Sequence, residues 1–398
     1  MPELLSIEEA LARVLARARP LPAEAVPVGA AAGRVLVEDV ISRVDLPPFP
    51  SSAMDGYALR AADVPGRLPV VFRIAAGVPA KRPLQPGEAM AISTGGAVPA
   101  GADAVVQIER VVETDNEVEV PDPVGVGRNV RPRGGDVRAG ELVLPCGARI
   151  GAAQLGAVAA AGVARVAVGR RPRVVVLSTG TELRAPGETL GPGQIYESNG
   201  PMLAAAFEAA GAIVERIGPV ADDEAEHRRA LERGLEADVL VSSGGVSVGP
   251  HDLVRSILAK LGVEEDFWGV AVRPGKPLAF GARGATLVFG LPGNPVSSLV
   301  AVELFVRPAL LALQGAADPG PRYERAGLAA PLRRNPHRDQ LARARTAVAD
   351  DGATVLEPLS GQESHMIARA AGADALVLVP AGEGELGPGE SVRFLRLV

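Results

Sequence analysis

From Arg173 onward, apolar runs alternate with amphipathic stretches. RVVVLS (173–178), AIVERIGPV (212–220), DVLVSS (238–243) and TLVFGL (286–291) read as strands. Between and after them, SNGPMLAAAFEAAG (198–211), DDEAEHRRALERGLEA (222–237), HDLVRSILAKLG (251–262) and PVSSLVAVELFVRPALLAL (295–313) read as helices. Such alternation predicts an open, largely parallel sheet with helices on both faces, placed at 170–314. The remainder of the chain has a different texture. Ser6 and Glu9 have capping-box spacing, and Leu11, Val14, Leu15 and Ala18 repeat at helical intervals, so residues 6–18 read as an amphipathic helix ended by Pro20. Residues 21–150 are short valine-rich runs broken by Pro and Gly, among them PVVFRIAAG, ADAVVQIERV and EVEVPD, which predict β-structure with many turns. GAAQLGAVAAAG (151–162) is a small-residue helix, and 315–398 returns to short strands and turns, a small β-domain. The fold class is therefore multidomain, α/β plus β-rich domains, around a central three-layer α/β domain with a mostly parallel sheet.

Composition agrees with several domains. At 398 residues the chain exceeds one core by the usual figure of roughly 150 residues per domain. Aromatics are only 3% of it, so the cores are built from Ala, Val and Leu, and 47 Gly with 35 Pro and no fixed period indicate many turns. The net charge of −6 and the absence of a basic tract interleaved with aromatics argue against nucleic acid as a partner. Cys146 stands alone, and His227, His251, His337 and His365 show no metal-ligand spacing, so any metal would rest mainly on oxygen ligands. No stretch reaches about 18 uninterrupted apolar residues and the N-terminus lacks a basic, then apolar, leader, so a soluble cytoplasmic protein without a membrane partner is expected.

Chemistry is expected where strands end. In a parallel α/β sheet the crevice lies beyond the carboxyl ends of the strands, and three loops converge there: TGTEL (179–183), SSGGVSVGPHD (242–252) and LPGNPVS (291–297). Glycines that admit a ligand backbone, neutral donors and helix N-termini suit an anionic, phosphate-bearing ligand. Strand, glycine turn and helix also occur together for geometric reasons alone, but three such loops in one domain, two carrying acids, favour a site. None is a P-loop or a GxGxxG fingerprint. Glu182, Asp222 and Asp252 each follow a strand and would repel a phosphate unless Mg²⁺ lay between them; Asp222 and Asp252 have helix capping as their alternative role. RPGKP (273–277) brings two cations in a proline-stiffened turn, with an oxyanion as counterpart or a solvated surface turn as the alternative. Arg131 and Arg133 in GRNVRPRGGDVRAGE read equally as an ordinary surface loop.

Taken together, SSAMDGYA, STGTEL, SSGGVSVGPHD, VRPGKP and GLPGNPVSS resemble the MoeA family of molybdopterin molybdenumtransferases, to which the E domain of gephyrin-like proteins is also similar. The resemblance runs nearly end to end. It implies insertion of molybdate into adenylylated molybdopterin with release of AMP, Mg²⁺ as the metal, and a homodimer of four-domain subunits. The implied domains are 1–48 plus 141–169 as one discontinuous unit, 49–140 inserted into it, 170–314, and 315–398. Glu182, Asp222, Ser247 and Asp252 match positions that act around the phosphates, the three acids also around the metal. Thr179, Gly180, Asn199, Ser242, Gly244, Gly245, Pro292, Gly293 and Asn294 match the substrate cradle, and Lys276 with Arg273 the molybdate contact. Arg343 in QLARAR and Ser364 in QESHM match positions near molybdate, while Asp55, Thr94 and Asp136 match polar positions that a second subunit presents to the cleft. The chain departs from the family at Gly269, where many members have Lys, at Gly135, where an acid is common, and at Glu363, where Gly is frequent. Protein partners implied are the adenylyltransferase of the preceding step and molybdoenzyme maturation proteins. Two other functions fit the same α/β domain: ATP-dependent adenylylation of molybdopterin, and a non-catalytic carrier or scaffold.

Overall fold

The computed structural model describes residues 4–221, 223–245 and 253–397. Its central sheet has six strands in the order Ile213–Val220, Arg173–Thr179, Val239–Ser243, Thr286–Leu291, Ala279–Arg283, Glu264–Trp268. The VVVL run explains its layering, because successive residues point to opposite faces and both faces are covered. Val174 and Val176 pack with Leu203, Phe207 and the helix Pro295–Ala301, while Val175 and Leu177 pack with Leu231, Val254 and Ile257 from the helices Glu224–Gly234 and Leu253–Lys260. Three layers result.

The sheet is mixed rather than mostly parallel. The first four strands run parallel, but Ala279–Arg283 and Glu264–Trp268 are antiparallel to their neighbours. The cause is a tight hairpin: Arg283 pairs with Thr286 across the two-residue turn Gly284–Ala285, where Gly284 has φ +60°. The second strand of this hairpin is the expected TLVFGL, and the first lies in GKPLAFGAR, too rich in small residues to announce itself.

The N-terminal helix forms over Ile7–Arg17 with the expected capping box, Ser6 Oγ accepting from Glu9 N at 3.1 Å and Glu9 Oε2 from Ser6 N at 2.9 Å. Its buried face, Ile7, Ala10 and Val14, belongs to the same core as the central sheet. The chain from residue 23 is committed elsewhere. Ala23–Pro27 pairs antiparallel with Arg165–Gly169, and Ala31, Leu36 and Val40 share a core with Ile150, Val158 and Val166. Between these two segments runs a six-stranded sheet, Ala104–Gln107, Gly56–Leu59, Ala89–Ile92, Gly66–Ile74, Glu117–Val120, Val112–Thr114, with apolar clusters on both faces.

The small β-domain is a closed barrel. Tyr323–Leu328, Asp339–Val348, Thr354–Pro358, Ala375–Val379 and Ser391–Arg396 pair in a ring, which leaves no open edge within it, around Leu328, Ala342, Leu356, Val377 and Phe394. Backbone pairing as well as a shared apolar core fixes it to the α/β layer. Val272–Arg273 adds to the barrel by pairing parallel with Asp339–Gln340, and Ser364 O accepts from Val296 N at 3.1 Å, covering a free amide at the start of the helix Pro295–Ala301. The long apolar stretch Pro295–Leu313 has a π-helical segment, Val302–Val306, ahead of Pro308, and is mostly buried in the core.

Candidate active site

Two adjoining clefts open at the carboxyl ends of the parallel strands. The larger, about 650 Å³, is lined by all three loops the sequence singled out, through Thr179, Gly180 and Glu182, then Ser243, Gly244 and Gly245, then Gly293 and Asn294. The smaller, about 430 Å³, is lined by Arg273, Lys276, Pro292, Asn294, Ser364 and their neighbours. Asn294 and His365 border both, so the two form one divided site.

In the larger cleft the wall beside Gly180 carries the Glu182 carboxylate. A methyl group at Gly180 would lie 2.6 Å from Glu182 Oε2, so only glycine lets the acid fold over this backbone. Glu182 is exposed and has no ion-pair partner among the described residues. At the floor, Asn199 opens the helix Asn199–Ala209 and is 8% exposed. Its amide nitrogen donates to Ser243 Oγ and to Gly293 O, both at 2.7 Å, while its Oδ1 has no partner among the described residues. A buried acceptor left unpaired costs on the order of 1–3 kcal/mol. Thr179 is buried, with its hydroxyl 3.5 Å from Ser243 O.

In the smaller cleft, the RPGKP turn is closed by Val270 N and Leu278 N, which both donate to Lys276 O at 3.1 and 2.9 Å. Gly275, at φ +119°, takes a backbone conformation that side-chain-bearing residues rarely adopt. Strand pairing with Asp339–Gln340 brings in a third cation, Arg338. None of Arg273, Lys276 and Arg338 has an ion-pair partner among the described residues, so the pocket holds an excess of positive charge against the single carboxylate of Glu363.

Not every candidate falls in this site. Asp222, Ser247 and Asp252 lie outside the described residues. Ser242 lines neither cleft: it pairs with Leu177 and turns to the opposite layer, 1% exposed, with its hydroxyl 3.5 Å from Phe289 O, whereas the next residue, Ser243, lines the larger cleft. Arg343 is placed likewise away from the clefts. It is 1% exposed and lines neither cleft. Its guanidinium donates to Gly361 O at 2.7 Å, Met366 O at 3.1 Å, Glu363 O at 3.2 Å and Gln362 Oε1 at 3.4 Å. Gln362 returns two bonds, to Arg343 O and Leu359 O. Burial pulls the guanidinium below its ordinary pKa, with the charge of Glu363 acting in the other direction. Arg343 thus braces the loop that delivers Ser364 and His365. Asp55 and Thr94 meet each other, Thr94 N donating to Asp55 Oδ1 at 2.7 Å, but these two and Asp136 are exposed and line neither cleft of their own chain.

Of the departures, Gly269 lies under the N-terminal segment: a methyl group there would meet Leu4 Cδ2 at 2.7 Å, and the neighbouring Val270 bridges Leu5. Gly135 closes a turn on Pro132 O, and Glu363 lines the oxyanion-friendly pocket itself.

Sequence reasoning missed several lining groups. His227 is 1% exposed and sits against Asp223 O at 2.9 Å through Nδ1; a carbonyl only accepts, so Nδ1 carries the proton. Glu197 is buried and accepts from Gly200 N at 2.6 Å, neutralising a helix N-terminus. Tyr196, Arg338 and His365 complete the set. Only His365 had a signal in the sequence, as the neighbour of Ser364 in QESHM. Among the described residues no group of three or more His, Cys, Asp or Glu side chains is placed to hold a metal.

The anion-suited cleft thus belongs to a three-layer α/β domain, walled by a barrel and preceded by a region built from two chain segments. The matching family descriptions are the MoeA N-terminal region (domain I and II) over residues 5–162, the probable molybdopterin binding domain over 175–312, and the MoeA C-terminal region (domain IV) over 325–397. The chain belongs to the MoeA family. It is 38% identical over 401 residues to molybdopterin molybdenumtransferase 2 of Mycobacterium tuberculosis, covering 97% of each chain. It is similar to the crystal structure of a molybdopterin biosynthesis MoeA protein from Pyrococcus horikosii, with 33% identity, TM-score 0.76 and 99% of each chain covered. A MoeA protein from Pyrococcus horikoshii OT3 matches with 28% identity and TM-score 0.82, over 99% of this chain and 100% of that one.

Proposed function

We propose that this protein is a cytoplasmic molybdopterin molybdenumtransferase of molybdenum cofactor biosynthesis, which inserts molybdate into adenylylated molybdopterin and releases AMP. The observation that carries the reading is the divided site, a larger cleft suited to an anionic nucleotide-linked ligand that adjoins a pocket whose three cations have no ion-pair partner among the described residues. A tetrahedral oxyanion needs such a pocket, and a phosphoanhydride needs the glycine-rich cleft beside it.

Glu182 offers one exposed carboxylate to the cleft, which fits a hard cation that takes one or two acids plus substrate phosphate oxygens; Asp222 and Asp252 are the proposed further ligands. Mg²⁺, when bound there, would neutralise charge on the pyrophosphate. The chain's own groups do the positioning. Lys276, Arg273 and Arg338 hold molybdate beside Ser364 on the Arg343-braced loop, and the backbone at Gly245 and Gly293 approaches the phosphates. Attack on the phosphoanhydride by a molybdate oxygen or water then needs little reorganisation, because the charges are already fixed.

The same reading makes the protein a homodimer, with Asp55, Thr94 and Asp136 presented to the cleft of a second copy. Their exposure and their distance from the cleft of their own chain support it, and light scattering that reports only a monomer would remove it.

A single-turnover assay tests the chemistry. Asp252→Ser, supplied with adenylylated molybdopterin, Mg²⁺ and molybdate, is expected to release AMP about a hundredfold or more slowly than wild type, the usual scale for losing one preorganised electrostatic group. Undiminished AMP release would take Asp252 out of the mechanism.

A further inference from the structure

We propose that His365 carries the protons of metal insertion from the thiols of molybdopterin to the departing oxygen of molybdate. The inference rests on adenylylated molybdopterin and molybdate as the occupants of the two clefts.

The chemistry sets the requirement. Joining an ene-dithiol to molybdate forms two Mo–S bonds and breaks one Mo–O bond. Both thiol protons end on the oxygen that leaves as water, the charge of the oxyanion passes unchanged to the product, and no oxidant or reductant is consumed. The thiols belong to the ligand of the larger cleft and the oxygen to the ligand of the smaller one. Protons must therefore cross the boundary between them.

Among the described residues only Asn294 and His365 border both clefts. The side chain of Asn294 is an amide, which neither takes up nor releases a proton near neutrality. Arg273, Lys276 and Arg338 line the smaller cleft alone and are donors without an acceptor. Glu363 also lines only the smaller cleft and Glu182 only the larger, so neither carboxylate spans the boundary. An imidazole has what the transfer needs: one ring nitrogen accepts while the other donates, so a single ring takes a proton on one edge and delivers one from the other.

The backbone that presents the ring is pinned on both sides. Ser364 O accepts from Val296 N at 3.1 Å, His365 O accepts from Ile367 N at 2.9 Å, and Met366 O accepts from Arg343 Nη1 at 3.1 Å. The side chain itself is exposed, and its ring has no hydrogen-bond or ion-pair partner among the described residues. A fixed backbone with a free ring lets the imidazole turn between passages, so the two protons follow in succession.

Single-turnover insertion tests this, with metal-bound cofactor and AMP followed separately in full-length wild type, His365→Gln and His365→Ala, each with and without added imidazole. Both variants are expected to form metal-bound cofactor about 10²-fold more slowly, the lower end of what general acid–base catalysis contributes, with the Michaelis constant for molybdate nearly unchanged. Imidazole should restore His365→Ala, whose lost side chain leaves room for it, and leave His365→Gln slow. AMP binding by each variant checks that it is folded. The proposal is overturned if both variants insert metal at the wild-type rate, if His365→Gln alone keeps that rate, if imidazole restores nothing, or if the loss lies in the Michaelis constant for molybdate rather than in kcat. Wild type that forms no metal-bound cofactor would defeat the proposed reaction and this step with it, whereas wild-type turnover with an unimpaired His365→Gln would defeat this step alone.

Discussion

A Lys276→Ala enzyme is expected to lose molybdate-dependent turnover by about 10²–10³-fold, the range found when one charged or oriented donor is removed from a preorganised site. The expectation follows from the charge balance of the smaller cleft. Its cations have no ion-pair partner among the described residues, and Lys276 is half-buried in a turn closed by two amides on its own carbonyl. The backbone that carries the ammonium is fixed before any oxyanion arrives. The loss should fall mainly on steps that need molybdate, with AMP affinity of the larger cleft nearly unchanged. Lys276→Arg should recover part of the activity, since charge is retained but the point-like donor becomes a planar fork. Turnover by Lys276→Ala close to wild type would show that Arg273 and Arg338 suffice, or that molybdate binds elsewhere.

Arg343→Ala is expected to lower folding stability by roughly 1.5–3 kcal/mol, the scale for hydrogen bonds between a charged group and neutral acceptors. Three loop carbonyls and Gln362 Oε1 would lose a donor together, and the segment Gly361–Met366 would lose its brace. Denaturant unfolding measures the stability. The position of Ser364 is read separately, from the Michaelis constant for molybdate, which should rise. Arg343→Lys should lie between, because three donors on one nitrogen cannot span four acceptors. A fully stable Arg343→Ala protein that cannot bind molybdate would contradict the bracing role, and would restore the direct oxyanion contact implied by family likeness.

That disagreement shows how far the sequence reaches. VVVL, VLVSS and TLVFGL were legible as buried strands because both faces of the sheet are covered, and the Ser6–Glu9 box because capping is a local matter. The antiparallel hairpin was hidden, since Ala279–Arg283 carries small residues and its only marker is the glycine of a two-residue turn. Within the site, motif position gave the right loop but not the face of a strand. Ser242 and Ser243 are neighbours in one motif, yet pleating turns the first to the helical layer and the second to the cleft. The surroundings of Arg343 were hidden for a related reason, as nothing local reveals that four acceptors lie around its guanidinium. Arg338, His227 and Tyr196 reach the clefts through tertiary packing of distant segments, which no spacing encodes.

The most direct test of the central claim is incubation of wild-type protein with adenylylated molybdopterin and Mg²⁺, with and without molybdate, following AMP and metal-bound cofactor. The account predicts AMP and metal-bound cofactor in equal amounts, dependent on molybdate and independent of ATP. Binding of the substrate without AMP release, or AMP chemistry that requires ATP and proceeds without molybdate, would contradict it.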